Sequence, residues 1–160
     1  MNTPLRSIRS DEDRAFQRML RDSATTLAQI KDLSPQSIAL CYRFGYQAYQ
    51  AGDYDRALRF FSFLAQFDHV EAKHWFGLGA TLQKLRRFDV AALAFSMAAL
   101  ISGGNPTALL HAADCRLSAG ERSEVPVLLK QVVALSDLQP EADAVRARAQ
   151  GLLELLNRDA

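Results

Sequence analysis

Two rhythms are superimposed on the hydrophobic and polar positions of this chain. The short one is helical, with apolar residues three and four apart: Phe16, Met19, Leu20, Leu27 and Ile30 near the start, Val145, Ala149, Leu152 and Leu156 near the end. The long one has a period of 34 residues. Gly45, Gly79 and Ala113 fall in step, as do Phe44, Leu78 and Ala112, then Ala57, Ala91 and Val125, then Phe61, Phe95 and Leu129. Turn signals punctuate the units: Gly52-Asp53 in the first, Arg86 at the same place in the second, and Gly120 in the third. Gly103-Gly104-Asn105-Pro106 separates the second unit from the third. The pattern predicts helices over 38–51, 54–67, 72–85, 88–101 and about 107–118. A further helix begins near Val125, with Ser123 as its cap and Pro126 in its first turn, where a missing N–H costs nothing. Ser10 with Asp13 reads as a variant capping box for a helix ahead of the repeats, and Ser34-Pro35 as the start of the first repeat. Pro140 opens a last helix whose other face carries Arg146, Arg148 and Glu154, as the solvated end of a stacked array requires.

A 34-residue period with a bulky residue, then Leu-Gly, then Ala and Phe resembles the tetratricopeptide repeat (TPR). The resemblance implies an all-α TPR solenoid of three helix-turn-helix repeats, at 38–71, 72–105 and 106–139 within a repeat region of 36–139. An N-terminal segment and amphipathic helix (1–35) would precede it and a C-terminal capping helix (140–160) close it, the whole forming one structural domain. In such arrays the first helix of each repeat lines the concave side. That places Tyr42, Tyr46 and Tyr49 of the first repeat, Phe76, Ala80 and Gln83 of the second, and Leu110, Asp114 and Leu117 of the third along one groove.

An aromatic stripe at helical spacing is more often core than surface. Here Phe44, Gly45, Ala48, Ala57 and Phe61 already fill the usual core positions, and a tyrosine hydroxyl needs water or a partner. The stripe therefore reads as a set of pockets for apolar anchors of an extended peptide. The helix that follows carries Phe60, Phe63 and Phe67 beside Phe61 and Leu64, an apolar arc wide enough to need a second covering surface. Either the N-terminal helix with Phe16 and Leu20 supplies it, or these phenylalanines form a homodimer contact.

Composition narrows the function. The chain has 160 residues, is 49% hydrophobic and 23% charged, and carries a net charge of +1, so no strong field draws it to nucleic acid or an acidic membrane. The cluster Lys84, Arg86 and Arg87 reads as a solvated helix end. No signal-peptide core stands in the polar first residues, and the apolar stretch 90–105, which ends in Gly103-Gly104-Asn105, is too short to span a bilayer. Cys41 and Cys115 sit in first helices of different repeats, which speaks against a disulfide and for a reduced, cytoplasmic protein. His69, His74 and His111 have no metal-ligand spacing; His69 is expected to hydrogen-bond beside Asp68, and Cys115 to be a packed thiol. His111 and Asp114 lie one turn apart with no nucleophile to complete a triad. We expect no catalytic residue, no cofactor and no metal. A clamp for an acidic chain end would need Lys and Asn where Tyr42 and Tyr46 stand, and Asn where Gly77 stands.

Four strings point further: Tyr42 to Tyr54 (YRFGYQAYQAGDY), Phe67-Asp68-His69, Trp75 to Ala80 (WFGLGA) and His111 to Cys115 (HAADC). Together they resemble the class II chaperones of bacterial type III secretion, which serve translocator proteins. The resemblance implies a cytoplasmic chaperone whose concave groove takes a short extended segment of a hydrophobic translocator. It assigns Tyr42, Tyr46, Tyr49, Phe76 and Ala80 to the groove, adds His111 and Asp114 from the third-repeat motif, and places Phe63 and Phe67 where a client-free homodimer forms. Arg86-Arg87 and Pro126 depart from the family pattern. A regulatory adaptor that binds a transcription factor or other protein, and a generic TPR scaffold, are the competing readings.

Overall fold

The structure, a computed structural model, describes residues 26–158. The proposed Ser10–Asp13 cap and the apolar residues Phe16, Met19 and Leu20 lie outside the described residues. Helix α1 (Leu27–Ile30) is closed by a reciprocal cap: the Thr26 hydroxyl accepts from the Gln29 N–H at 3.3 Å, and the Gln29 side chain accepts from the Thr26 N–H at 2.8 Å. The three repeats follow as α2 (Pro35–Gln50) and α3 (Tyr54–Phe67), α4 (Ala72–Lys84) and α5 (Phe88–Ile101), and α6 (Pro106–Ser118) and α7 (Val125–Ser136). A 3₁₀ turn (Pro140–Ala142) leads into α8 (Asp143–Arg158). No strand occurs among the described residues, and none of their helices is long and apolar enough to cross a membrane.

Ser34 and Asn105 cap α2 and α6 through their side chains, each with a proline at the first helical position. The expected cap of α7 is corrected: Glu124, not Ser123, stands at its N-cap and makes no side-chain bond to the helix end. The reason is electrostatic, because the Arg116 guanidinium holds the Glu121 carboxylate at 3.2 Å and that of Glu124 at 3.1 Å. Pro126 does lie in the first turn of α7.

The 34-residue period is written into the backbone as well. Gly52, Arg86 and Gly120 all take positive φ, at 78°, 59° and 84°. Each is followed by the same closing bond, Asp53 N–H to Ala48, Arg87 N–H to Leu82 and Glu121 N–H to Arg116, every one at 2.9 Å. Arg86 holds a left-handed conformation that suits glycine, at a cost of roughly 1–2 kcal/mol.

Successive helices pack in chain order, each pair handing its apolar face to the next. Phe95 is buried among Leu82, Ala91, Ala112 and Cys115, and Phe61 among Ala48, Ala57 and Leu64. The approach of α3 to α4 depends on Gly77, since a β-carbon there would overlap the Phe61 ring. Phe44, expected in the core, is 42% exposed and lies beside Phe60, with ring centroids 5.9 Å apart. Its counterparts Leu78 and Ala112 pack back onto the preceding repeat; no repeat precedes the first among the described residues.

α8 stands where the first helix of a fourth repeat would, against α7 and α6. Its Ala149, Val145, Leu152 and Leu156 close the core built on Leu129 and Val132. Cys115 is buried, and burial, followed by the Asp114 charge, pushes its thiol up to about 11. That is the packed, unreactive thiol the sequence suggested.

His74 is wholly buried; its Nδ1 lies 3.1 Å from the Asp68 carbonyl oxygen, while Nε2 meets no partner among the described residues. Burial lowers the pKa of His74 below 6.5, opposed by the carbonyl and carboxylate of Asp68, and burial lowers that of His111, opposed by Asp114. In both cases the unfolded chain takes up a proton before the native one does. The stability that these neutral imidazoles contribute is complete above about pH 6.5 and declines as pH falls toward each native pKa. Thermal melts between about pH 7.5 and 5.5 should show this decline, with a smaller slope in His74→Gln and His111→Gln. Urea unfolding should show Arg86→Gly more stable by about 1 kcal/mol. Gly77→Ala, which forces Phe61 to move, should be less stable by ~1–3 kcal/mol.

Candidate functional site

The start of α2 is fixed by the Ser34 cap and Pro35, and from there the helical repeat carries Tyr42, Tyr46 and Tyr49 onto one side. Tyr46 is 51% exposed and belongs to no core cluster. Tyr42 and Tyr49 are half-buried, each edge-on to a second ring, Phe61 at 5.8 Å and Tyr54 at 5.6 Å. These contacts set the phenols in one orientation without enclosing them.

The three tyrosines form one wall of a cleft of about 590 Å³. Phe61 and Gly77 lie at its floor, and Phe76 and Ala80 of α4 continue the lining. Ala98 and Ala108 reach it from α5 and α6, so the cleft draws on all three repeats. It is open because so many of these side chains are small. Phe76 stays in place by edge contacts with Phe95 at 5.2 Å and His111 at 5.6 Å.

The polar atoms at the cleft are few, and several are already engaged. Ser102 donates its hydroxyl to the Ala98 carbonyl at 2.7 Å, and the Asn105 side chain accepts the Ala108 N–H at 3.0 Å. The charged groups are Glu71 and Lys73, paired at 3.6 Å, with the Lys73 ammonium 5.6 Å from the centre of the Tyr42 ring. Burial raises the pKa of Tyr42, helped by Tyr46 and the Glu71 carboxylate, which keeps it a neutral donor. An apolar cleft with tyrosine hydroxyls and one ion pair at its edge suits an extended apolar segment with main-chain groups to satisfy.

Of the ten residues placed along the groove by sequence, Tyr42, Tyr46, Tyr49, Phe76 and Ala80 come together in this cleft. Gln83 is half-buried farther along α4 and does not line it. Leu110 is buried with Val125, Leu129 and Ala149, and Leu117 packs on the same cluster. His111 stacks on Phe95 at 4.9 Å with its Nδ1 buried and unpartnered among the described residues. Asp114 is held by Arg148 of α8 at 2.7 Å. α8 supplies the charge partner of Asp114 and joins the core that takes Leu110 and Leu117. Asp114 and Arg148 are one full 34-residue period apart, so α8 continues the repeat register.

The phenylalanine stripe divides. Phe63 and Phe67 stack on each other at 4.3 Å and are half-buried, while Phe60 lies under Arg56 and beside the exposed Phe44. The structural hydrogen bond expected at His69 is made by its backbone, which offers its carbonyl to the Trp75 Nε1–H at 2.8 Å, while the imidazole at the Asp68 carbonyl is that of His74. Sequence reading missed Phe61 as cleft floor, the Glu71–Lys73 pair, and Ala98 and Ala108. The available signal was smallness, alanine at positions where a larger residue would fill the cleft.

No protein-family model matches the chain. It is 29% identical to low calcium response locus protein H of Yersinia pseudotuberculosis, over 82% of this chain and 78% of that protein. A type III secretion complex from Aeromonas hydrophila superposes with a TM-score of 0.79 at 32% identity, over 91% of this chain and 97% of the other. PcrH of Pseudomonas aeruginosa, solved in complex with the chaperone-binding region of PopD, superposes with a TM-score of 0.74 at 33% identity, over 79% of this chain and 96% of the other. With one fold and about a third of its aligned residues shared over nearly the full length of such proteins, the chain belongs to the class II, tetratricopeptide-repeat chaperones of type III secretion translocators.

Proposed function

We propose that the protein is a cytoplasmic, stoichiometric chaperone that captures an extended segment of a hydrophobic translocator in the tyrosine-lined cleft and so keeps its client soluble and export-competent. The observation that carries this reading is the cleft itself: about 590 Å³, mostly apolar, and bordered by phenols left open to solvent in the free protein. PcrH, a relative with the same fold, is seen with the chaperone-binding region of PopD, which supports a polypeptide as the occupant. Each aliphatic anchor buried there contributes ~1.5–3 kcal/mol. Two or three anchors, less the cost of ordering the segment, give about micromolar affinity or tighter.

The mechanism is steric and hydrophobic and involves no chemical step by the chaperone. Apolar client segments that would aggregate or insert early are kept from one another by occupancy of the cleft. The repeats and α8 act as one unit here, since α8 closes the core that α6 and α7 leave open. Self-association of the client-free protein is supported at the first repeat, where Leu40 and Phe44 are exposed and Phe60 is half-buried among the described residues.

Co-expression of the tagged chain with its genomic neighbours should bring down a partner with long apolar segments that is insoluble by itself. A soluble DNA-binding partner with no apolar client would replace this reading with the regulatory one. Tyr46→Ala is the cleanest variant, because Tyr46 is exposed and supports no core cluster. It should reduce client recovery about tenfold while Tm moves by no more than about 2 °C. Tyr42→Ala and Tyr49→Ala should lose the client as well, with a larger drop in Tm from the severed ring contacts.

A further inference from the structure

The corner between the first and second repeats, residues 68–71, is tied by two rings that follow one another in α4. Trp75 donates its Nε1–H to the His69 carbonyl at 2.8 Å, and His74 Nδ1 lies 3.1 Å from the Asp68 carbonyl oxygen. A carbonyl only accepts, so the proton of neutral His74 sits on Nδ1. Nε2 is then a bare acceptor, buried and without a partner among the described residues. The same wholly buried ring meets Tyr42 across the repeat boundary, with centroids 5.9 Å apart and planes at 43°. Tyr42 therefore rests against two rings, His74 and the edge-on Phe61 at 5.8 Å, with the Lys73 ammonium 5.6 Å from its centre. Of the two rings, only His74 can take up a proton near neutral pH.

A proton arriving on Nε2 finds no acceptor in this wall. The charged and titratable groups around the ring are Asp68 and Glu71 of the corner, Lys73 of α4, and Tyr42 and Arg43 of α2. The Asp68 carboxylate lies 3.6 Å from Nδ1, the nitrogen already engaged. Burial disfavours the imidazolium most, Asp68 and Glu71 favour it, and Lys73 adds to the penalty. A new Nε2–H is satisfied only if the ring turns out of the wall. Room for that exists, because His74 lines a hollow of about 580 Å³ at the N-terminal ends of α2 and α4, with Ile38, Ala39 and Val70. The turn gives up the Asp68 carbonyl and the Tyr42 contact together.

We infer that His74 is a positioning residue for client capture: neutral, it holds Tyr42 in the cleft wall against the second repeat, and a proton taken up on Nε2 releases that wall and loosens the client. The inference rests on the chaperone reading and adds to it a second, weaker-binding state of the same site. The client is held by the Nδ1–H form, so binding opposes proton uptake and, reciprocally, proton uptake opposes binding. Affinity is complete above about pH 6.5 and declines as pH falls toward the native pKa, which burial sets below that value. A single proton limits the decline to about tenfold per pH unit.

Two measurements on the full-length chain test this. In the free protein, the ring resonances of isotope-labelled tyrosine, four in all, are followed alongside those of the three imidazoles from about pH 7.5 to 5.5. The Tyr42 signal, assigned by its loss in Tyr42→Phe, should move with the titration of His74. It should stand still in His74→Phe, which keeps a ring and has no proton to gain; His74→Gln is a second non-titrating variant. In the complex with the co-purified client, the dissociation rate should rise about threefold or more between about pH 7.5 and 5.5. That ratio should fall to about one in His74→Phe, whatever the variant's rate at the higher pH. A Tyr42 signal indifferent to the titration overturns the inference, as does a pH ratio that survives His74→Phe or vanishes in His111→Gln instead. The cleft reading stands in those cases, because Tyr46→Ala tests it without any change of pH. If Tyr46→Ala leaves client capture intact, the cleft reading falls and the client half of the inference with it. The tyrosine titration then still decides whether His74 holds Tyr42.

Discussion

The ring of Phe61 is where the fold and the site meet. It is buried against Ala48, Ala57 and Leu64 of the first repeat, it fills the place a side chain at Gly77 would need, and its edge contact orients Tyr42. The same ring forms part of the cleft floor. One side chain thus sets the spacing of two repeats and the depth of the cleft between them. Because a packed interior has little slack, a change at Gly77 must reach the cleft through Phe61. The second repeat repeats the device in milder form, with Phe95 against Gly79 and the Phe76 and His111 rings resting on Phe95.

This economy explains which parts of the structure were legible in the sequence. The helices of the repeats were readable because local rules and the long period agree at Gly52, Arg86 and Gly120, where one closing bond recurs three times. Tyr42, Tyr46 and Tyr49 were readable as one stripe from helical spacing, and Phe76 and Ala80 joined them through the tetratricopeptide-repeat resemblance, which assigns the first helices to one groove. Positions whose surroundings depend on a neighbouring repeat were not. Phe44 has a core residue's place in the period and is exposed for want of a preceding repeat among the described residues. Leu110 and Leu117 have groove positions and lie in the core that α8 completes. Periodicity reports what a residue would do in the middle of an infinite array, and a three-repeat solenoid has two ends and little middle.

Charge placement escaped the period for a related reason. Asp114 and Arg148 are in register, yet their pairing depends on α8 standing as a fourth first helix, which its composition alone reads only as a cap. Glu124 left the end of α7 without a side-chain cap because Arg116 gathers two carboxylates. Both are contacts reaching beyond a single helix, which helical spacing alone does not report.

The choice of tyrosine over phenylalanine in the cleft follows from the two states the site must tolerate. An empty cleft walled by phenylalanine would expose apolar surface to water and invite collapse or self-association. A phenol gives nearly the same contact area to an anchor and keeps a hydroxyl that water can satisfy while the cleft is empty. Tyr42 must also stay uncharged as its surroundings dry, and burial together with the neighbouring Glu71 pushes its titration upward, in the direction that keeps the proton on. With Phe61 and Gly77 beneath it, a surface of this kind suits an apolar segment held by contact area and shape.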